Sequence, residues 1–430
     1  SVMVVVLAGC RLEPNPRFDE ALVAATTDGT ATSGSTGSTG SSGSTGASAS
    51  SGADTTGDGP SSSGVDSTGS VVEGCYDGVP VPGALCFEYR LVTAGEGQDA
   101  LSIAAGDFDG DRNPDILVGN FGAVRVLFGD GTGSFWGEFT LAPSEQAGFA
   151  SPLDAAALDL NEDGLDDTVI VWAESNTVDV ILTNAEDGFE PAVPYTIDGS
   201  PSRVVAADFD DDGDVDLAVS SVTGNAVTIL YGLGGGSFEP SAPMDAGVAP
   251  GSLTATDLDA NGLVDIAVAA EGALQLLFNS GDRVFAPASP FELPTPVTVM
   301  FADLDVDDVD DLFVSTADQQ NFVLYGLPRG GFVEADTWWN WTGRSAYSAA
   351  VGDFNADGLR DVAWADGFMG NGSMTWMLGL GDRVFETTLN PLFTFPQDLA
   401  VADMNHDGVD DVLLANAGSD LGVGMLLSVP

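Results

Sequence analysis

Between about residue 87 and the C-terminus, the chain is built from apolar runs too short to form helices. Val204-Val205-Ala206-Ala207 is followed, across an acidic turn, by Leu217-Ala218-Val219, then by Ile229-Leu230-Tyr231, a Gly-rich turn and Phe238. The same order returns in Ile116-Leu117-Val118, Val126-Leu127-Phe128 and Phe135. It returns again in Ile266-Ala267-Val268, Leu276-Leu277-Phe278 and Phe285, and in Leu399-Ala400-Val401-Ala402 with Val412-Leu413-Leu414. Such runs, bounded by Gly, Asp and Asn, predict strands. A fourth, more polar strand leads from each unit to the next. No stretch has helical periodicity of useful length, and no apolar run reaches the ~18 residues of a membrane-spanning helix.

Between the first and second strands of every unit lies Asp-x-Asp/Asn-x-Asp/Asn-x-x-x-Asp, numbered below as positions 1 to 9. The seven copies are Asp107, Asp109, Asp111 and Asp115; Asp159, Asn161, Asp163 and Asp167; Asp208, Asp210, Asp212 and Asp216; Asp257, Asp259, Asn261 and Asp265; Asp303, Asp305, Asp307 and Asp311; Asp353, Asn355, Asp357 and Asp361; and Asp403, Asn405, Asp407 and Asp411. They are spaced 52, 49, 49, 46, 50 and 50 residues apart. Four strands per period near 50 predict an all-β, seven-bladed β-propeller with four-stranded blades, its small-residue first strands nearest the axis.

The loop spacing suits calcium. Side chains at positions 1, 3 and 5 of a tight turn point inward, position 7 can offer a carbonyl, and Asp at 9 closes the shell of a hard cation that takes six to eight oxygens. An EF-hand would need Glu at position 12, where this chain has Val118, Ile170, Val219, Val268, Val314, Trp364 and Leu414. A nonapeptide β-roll would need a period of about nine. Asp, Asn and Gly also favour ordinary surface turns, but seven copies in phase must each converge several carboxylates. At 4 Å and an effective dielectric of about 20, each pair repels by roughly 4 kcal/mol. A cation removes that cost, so up to seven calcium ions are expected. Asp208, Asp210, Asp212 and Asp216, with Gly213 at the turn, are expected to bind best. Arg112 and Asp308 replace the turn Gly in two loops, and the Asp257 loop has one charge fewer.

The repeat resembles the FG-GAP or VCBS-type units of the integrin alpha-subunit propeller and its bacterial relatives, over about 345 of the 430 residues. That resemblance implies that the loop joins the first and second strands of a blade and binds calcium, and that ligands meet the opposite face.

Composition narrows the partners. Eleven basic residues, all Arg, face 66 acidic ones, for a net charge of −55. Such a chain is repelled by nucleic acid and by anionic lipid. A single His, His406, and three Cys leave little for His- or Cys-ligated zinc or for Ser-His-Asp catalysis. His406, at position 4 of its loop, is expected to point to solvent.

Residues 1–10 end in Leu7-Ala8-Gly9-Cys10, which resembles a bacterial lipobox with Cys10 as the lipidated residue; the charged n-region and initial Met are missing, as in a truncated signal peptide. Arg11 after the Cys implies, within that resemblance, the outer membrane. Residues 11–74 are dominated by Ser, Thr and Gly and read as a disordered tether, about 45 residues of which would reach roughly 40 Å, or as an O-glycosylated stalk. Residues 75–86 are bounded by Cys75 and Cys86, which in an exported chain suggest a disulfide. The segment weakly resembles a knob that precedes propellers in myxobacterial lipoproteins. The propeller then occupies residues 87–430.

The last unit has three apolar strands before the chain stops, so Phe87-Glu88-Tyr89-Arg90-Leu91-Val92 is expected to supply its fourth. Trp338, Trp339 and Trp341, with Arg344 and Tyr347, either form a stacking surface or pack an outer strand. Together these features predict an exported outer-membrane or cell-surface lipoprotein. It is monomeric, held to the membrane only by its lipid anchor, and non-enzymatic. It acts as a calcium-binding adhesion scaffold for an unknown protein or glycan at the propeller face. The alternative is a carbohydrate-active enzyme or lectin on the same propeller, which a deep axial pocket lined by Glu, Asp and Trp would favour.

Overall fold

The computed structural model describes residues 8–9, 85, 87–92 and 99–428, apart from 148–150, 186–187, 319, 329–330, 340–345, 367–372, 392–395 and 417–421. Cys10, the tether, Cys75 and Cys86 lie outside the described residues. Among those described, no helix is long and apolar enough to cross a membrane.

Seven antiparallel sheets form the blades of a β-propeller. The first is ordered Ala100–Gly106, Asp115–Asn120, Ala123–Gly129, Phe135–Leu141. The innermost strands of the other six are Pro152–Leu158, Pro201–Ala207, Leu253–Thr256, Pro296–Ala302, Ala346–Gly352 and Pro396–Ala402. Each second strand begins at the position-9 Asp, so every acidic loop joins first and second strands, as expected. These second strands are buried on both faces, as in Asp115–Asn120, Asp216–Ser221 and Asp411–Asn416. Covered on both sides, they read as continuous apolar runs and not as alternating ones. Each buried Val, Leu or Ile contributes about 1.5–3 kcal/mol.

The ring closes as the strand count predicted. Phe87–Val92 pairs antiparallel with Val423–Ser428, register Phe87↔Ser428 to Val92↔Val423, as the fourth strand of the seventh blade. Phe87 stacks on Trp376 of the sixth blade, ring centroids 4.8 Å apart. Arg90 donates to the carbonyls of Thr132 and Gly133 in the first blade. On the axial side of the same sheet, Ala8–Gly9 makes a two-residue ladder with Leu399 and Asp398.

Outer strands vary more. In the third blade the rim strand splits into Phe238–Pro240 and Met244–Asp245, in the fourth into Phe285–Pro287 and Phe291–Glu292. Pro240 with Pro243, and Pro287 with Pro290, remove the N–H donors a continuous ladder needs. Trp338 and Trp339 fall on the fifth blade's outer strand, in register with Asn321 and Gln320; Trp341 and Arg344 lie outside the described residues.

A polar ring surrounds the axis. Five residues before each loop stand Ser102, Asp154, Arg203, Ser252, Thr298, Ser348 and Asp398, all buried. At four seams the side-chain oxygen accepts the backbone N–H of the next blade: Asp154 from Val204, Ser252 from Val299, Ser348 from Leu399 and Asp398 from Ile103, at 2.9–3.2 Å. Burial pushes the Asp398 carboxyl well up and that of Asp154 up to about 6, the Arg203 guanidinium opposing the rise at both.

Candidate metal centres in the blade loops

Position 2 anchors each loop. Phe108, Leu160, Phe209, Leu258, Leu304, Phe354 and Met404 are all buried. Around that anchor the acidic side chains organise the backbone identically seven times. The position-1 carboxylate accepts the N–H of position 6 through Oδ2 at 2.8–3.0 Å. The position-5 Oδ1 accepts the N–H of position 7 at 2.7–3.0 Å.

Position 9 does more than close a shell. Asp115, Asp167, Asp216, Asp265, Asp311, Asp361 and Asp411 are fully buried. Their Oδ2 atoms accept the position-2 N–H at 2.8–3.0 Å. Their Oδ1 atoms accept an N–H from the far end of the third strand, as Gly129 to Asp115 or Ser428 to Asp411, or from Thr183 just beyond it in the second blade, at 2.6–2.8 Å. One carboxylate therefore ties the loop to two strands. Burial pushes the carboxyls of Asp115, Asp167, Asp216, Asp265, Asp311 and Asp361 up to about 7, and that of Asp411 to about 6; the N–H donors oppose the rise and neighbouring loop carboxylates add to it.

Positions 1, 3 and 9 converge. Carboxylate oxygens of Asp107, Asp109 and Asp115, of Asp208, Asp210 and Asp216, of Asp257, Asp259 and Asp265, and of Asp303, Asp305 and Asp311 lie within 4.8 Å of one another. These groups could hold a metal ion. In the loops of Asp159, Asp353 and Asp403, position 3 is Asn161, Asn355 or Asn405, so the same three positions offer two carboxylates and an amide oxygen. His406 is exposed, as expected, and its Nε2 lies 3.1 Å from Asn113 Oδ1 of the first blade.

Left-handed backbone occurs at two loop positions. Position 6 holds Gly in five loops, but Arg112 adopts φ +70° and Asp308 φ +64°. Position 4 is left-handed as well, with Val306 at φ +66°. A β-branched residue there is strained by about 1–2 kcal/mol, and Val306 is 57% exposed, so packing does not repay it. Val306→Asn and Arg112→Gly should each raise stability by about 1 kcal/mol in urea unfolding; unchanged midpoints would show that the loop relaxes around these residues.

Two arginines that loop spacing did not reveal enter from neighbouring blades. Arg283 Nε donates to Asp210 Oδ2 at 2.6 Å, and its guanidinium lies 4.1 Å from the Tyr231 ring centroid. Arg383 Nε donates to Asp305 Oδ2 at 2.6 Å, 4.2 Å from the Tyr325 ring. The one available sign was the repeated Gly-Asp-Arg-Val-Phe at 281–285 and 381–385.

A family model described as FG-GAP-like repeat matches residues 107–170, 159–219, 208–268, 257–314 and 353–414. Each match runs from one acidic loop through the next, so all seven loops are included. Among curated proteins none matches. Among solved structures, the BBS1N chain crystallised in complex with ARL6DN, soaked with mercury, is similar with a TM-score of 0.55 at 10% identity, covering 80% of this chain and 95% of that one. The lead-soaked form gives 0.55 at 12% identity, covering 80% and 96%. A lectin from Agrocybe aegerita, described as recognising non-reducing terminal N-acetylglucosamine, gives 0.47 at 16% identity, covering 72% and 81%.

Proposed function

Because the chain belongs to the FG-GAP-like repeat family, we propose that it is a calcium-stabilised propeller that serves as a non-enzymatic binding or adhesion scaffold for a protein or glycan. The carrying observation is the convergence of carboxylate oxygens within 4.8 Å in four of the loops that recur once per blade. An all-oxygen donor set with several carboxylates suits calcium better than magnesium, which demands a near-ideal octahedron and keeps its waters. The ring of blades offers a preformed face, and a net charge of −55 argues against nucleic acid as a partner. We further propose export and tethering through a lipidated Cys10, maturation there removing the Ala8–Gly9 ladder to Leu399 and Asp398, with the propeller working as a monomer clear of the membrane.

Calorimetric titration should show several equivalents of calcium per chain. Saturation should raise Tm, since each site filled to 100 times its Kd adds about 2.7 kcal/mol. Chelator should reverse the gain, and magnesium should give a smaller one. Identical melting in calcium and in chelator would refute the metal reading. A glycan and surface-protein screen run in both conditions then tests the scaffold reading.

A further inference from the structure

The seven loops are not equivalent in charge. Four carboxylates occur at positions 1, 3, 5 and 9 in the loops of Asp107, Asp208 and Asp303; the other four loops replace one of them by Asn161, Asn261, Asn355 or Asn405. Two of the four-carboxylate loops receive an arginine from a neighbouring blade: Arg283 on Asp210 and Arg383 on Asp305.

The two inter-blade arginines are built in. Asp210 and Asp305 side chains are only 7% and 4% exposed. In both, Oδ2 takes the arginine while Oδ1 is buried with no hydrogen-bond partner. An unpartnered buried carboxylate oxygen beside two further carboxylates marks a place for a cation. Arg283 and Arg383 hold φ of +60° and +63° in the turn before their blade's outer Phe, where the first and third blades use Gly133 and Gly236. Each accepts a conformation that favours glycine and stacks on a tyrosine of the blade it reaches.

We propose that Arg283 and Arg383 are internal counter-cations: each binds one oxygen of the position-3 carboxylate, leaves the other for a divalent cation, and holds the loops of blades three and five against the next blade when no cation is bound. This rests on the cation reading of the loops. Counted over positions 1, 3, 5 and 9 alone, the arginine brings a four-carboxylate loop to the formal charge of a three-carboxylate one. These arginines are positioning residues for the site and clasps between blades.

The test is thermal melting of wild type, Arg283→Gln and Arg283→Gln/Arg383→Gln, each in chelator and in saturating calcium chloride. In chelator, Arg283→Gln should lower Tm by roughly 3 °C and the double variant by about twice that. Calcium should recover more than half of the loss, because the cation then neutralises the same carboxylates. On an Asp210→Asn background, Arg283→Gln should cost little in chelator. Equal losses in both conditions with a calcium-responsive wild type, or no loss in either, would overturn the counter-cation role alone. A wild type indifferent to calcium would instead overturn the cation reading beneath it.

Discussion

Stripped of divalent cations, the protein should be more stable at pH 5 than at pH 8, and calcium should reverse that order. The position-9 carboxyls carry the effect. Six of them titrate near 7 in the folded chain and Asp411 near 6, because burial disfavours the charged form. In the unfolded chain they titrate near 3.8. The folded state thus holds protons more tightly, so this stability is fully present below about pH 4 and is lost as pH rises through about 7. Each tenfold gain in proton affinity on folding corresponds to about 1.4 kcal/mol, and all seven carboxyls act in the same direction. Bound calcium requires ionised ligands, so in its presence stability should rise over the same window, and binding near pH 6 should release protons. Melting at pH 5, 6.5 and 8, with chelator or calcium, measures both signs. The measurement belongs at 0.5 M salt, where self-repulsion between exposed acids is screened but buried groups are not. Stability in chelator that climbs from pH 5 to 8 would contradict the assignment.

Deleting residues 1–95 should abolish the stable monomer, whereas deleting 1–70 should leave a folded domain. The longer deletion removes Phe87–Val92, the six-residue ladder along Val423–Ser428 and the Phe87–Trp376 stack. It also removes the Arg90 bonds to Thr132 and Gly133. The apolar Val423–Ser428 strand, buried throughout, becomes an unpaired edge, and such edges template aggregation. Light scattering after size exclusion should find oligomers or no soluble protein for the longer deletion. A monomer with unchanged Tm would refute this closure.

Most of the architecture was legible because it repeats. Seven Asp loops in phase set blade number, strand order and the place of each loop, and the missing fourth strand at the C-terminus pointed back to Phe87. What stayed hidden depends on which blades become neighbours. Arg283 meets Asp210 across 73 residues and Arg383 meets Asp305 across 78, contacts that no local spacing encodes. The axial ring was hidden for a different reason. Ser102, Thr298 and Ser348 look like ordinary small residues of a first strand, and only alignment five positions before each loop shows that Asp154, Arg203 and Asp398 share their place. The dual task of the position-9 Asp was missed because its second donor comes from the end of the third strand or just beyond it, 14 to 18 residues on.

The N-terminal origin of the closing strand also governs the order of assembly. A chain made from its N-terminus presents Phe87–Val92 first and Val423–Ser428 last. The early strand therefore waits, unpaired, while six blades and most of the seventh are made. Joining ends so far apart along the chain costs roughly 5 kcal/mol of loop entropy if nothing between them has folded. Once the intervening blades have formed, most of that entropy is already spent and the two strands meet as near neighbours. Closure is thus expected as a late, cooperative event that locks in blades formed earlier, and nascent chains stalled short of residue 423 should behave as open arcs.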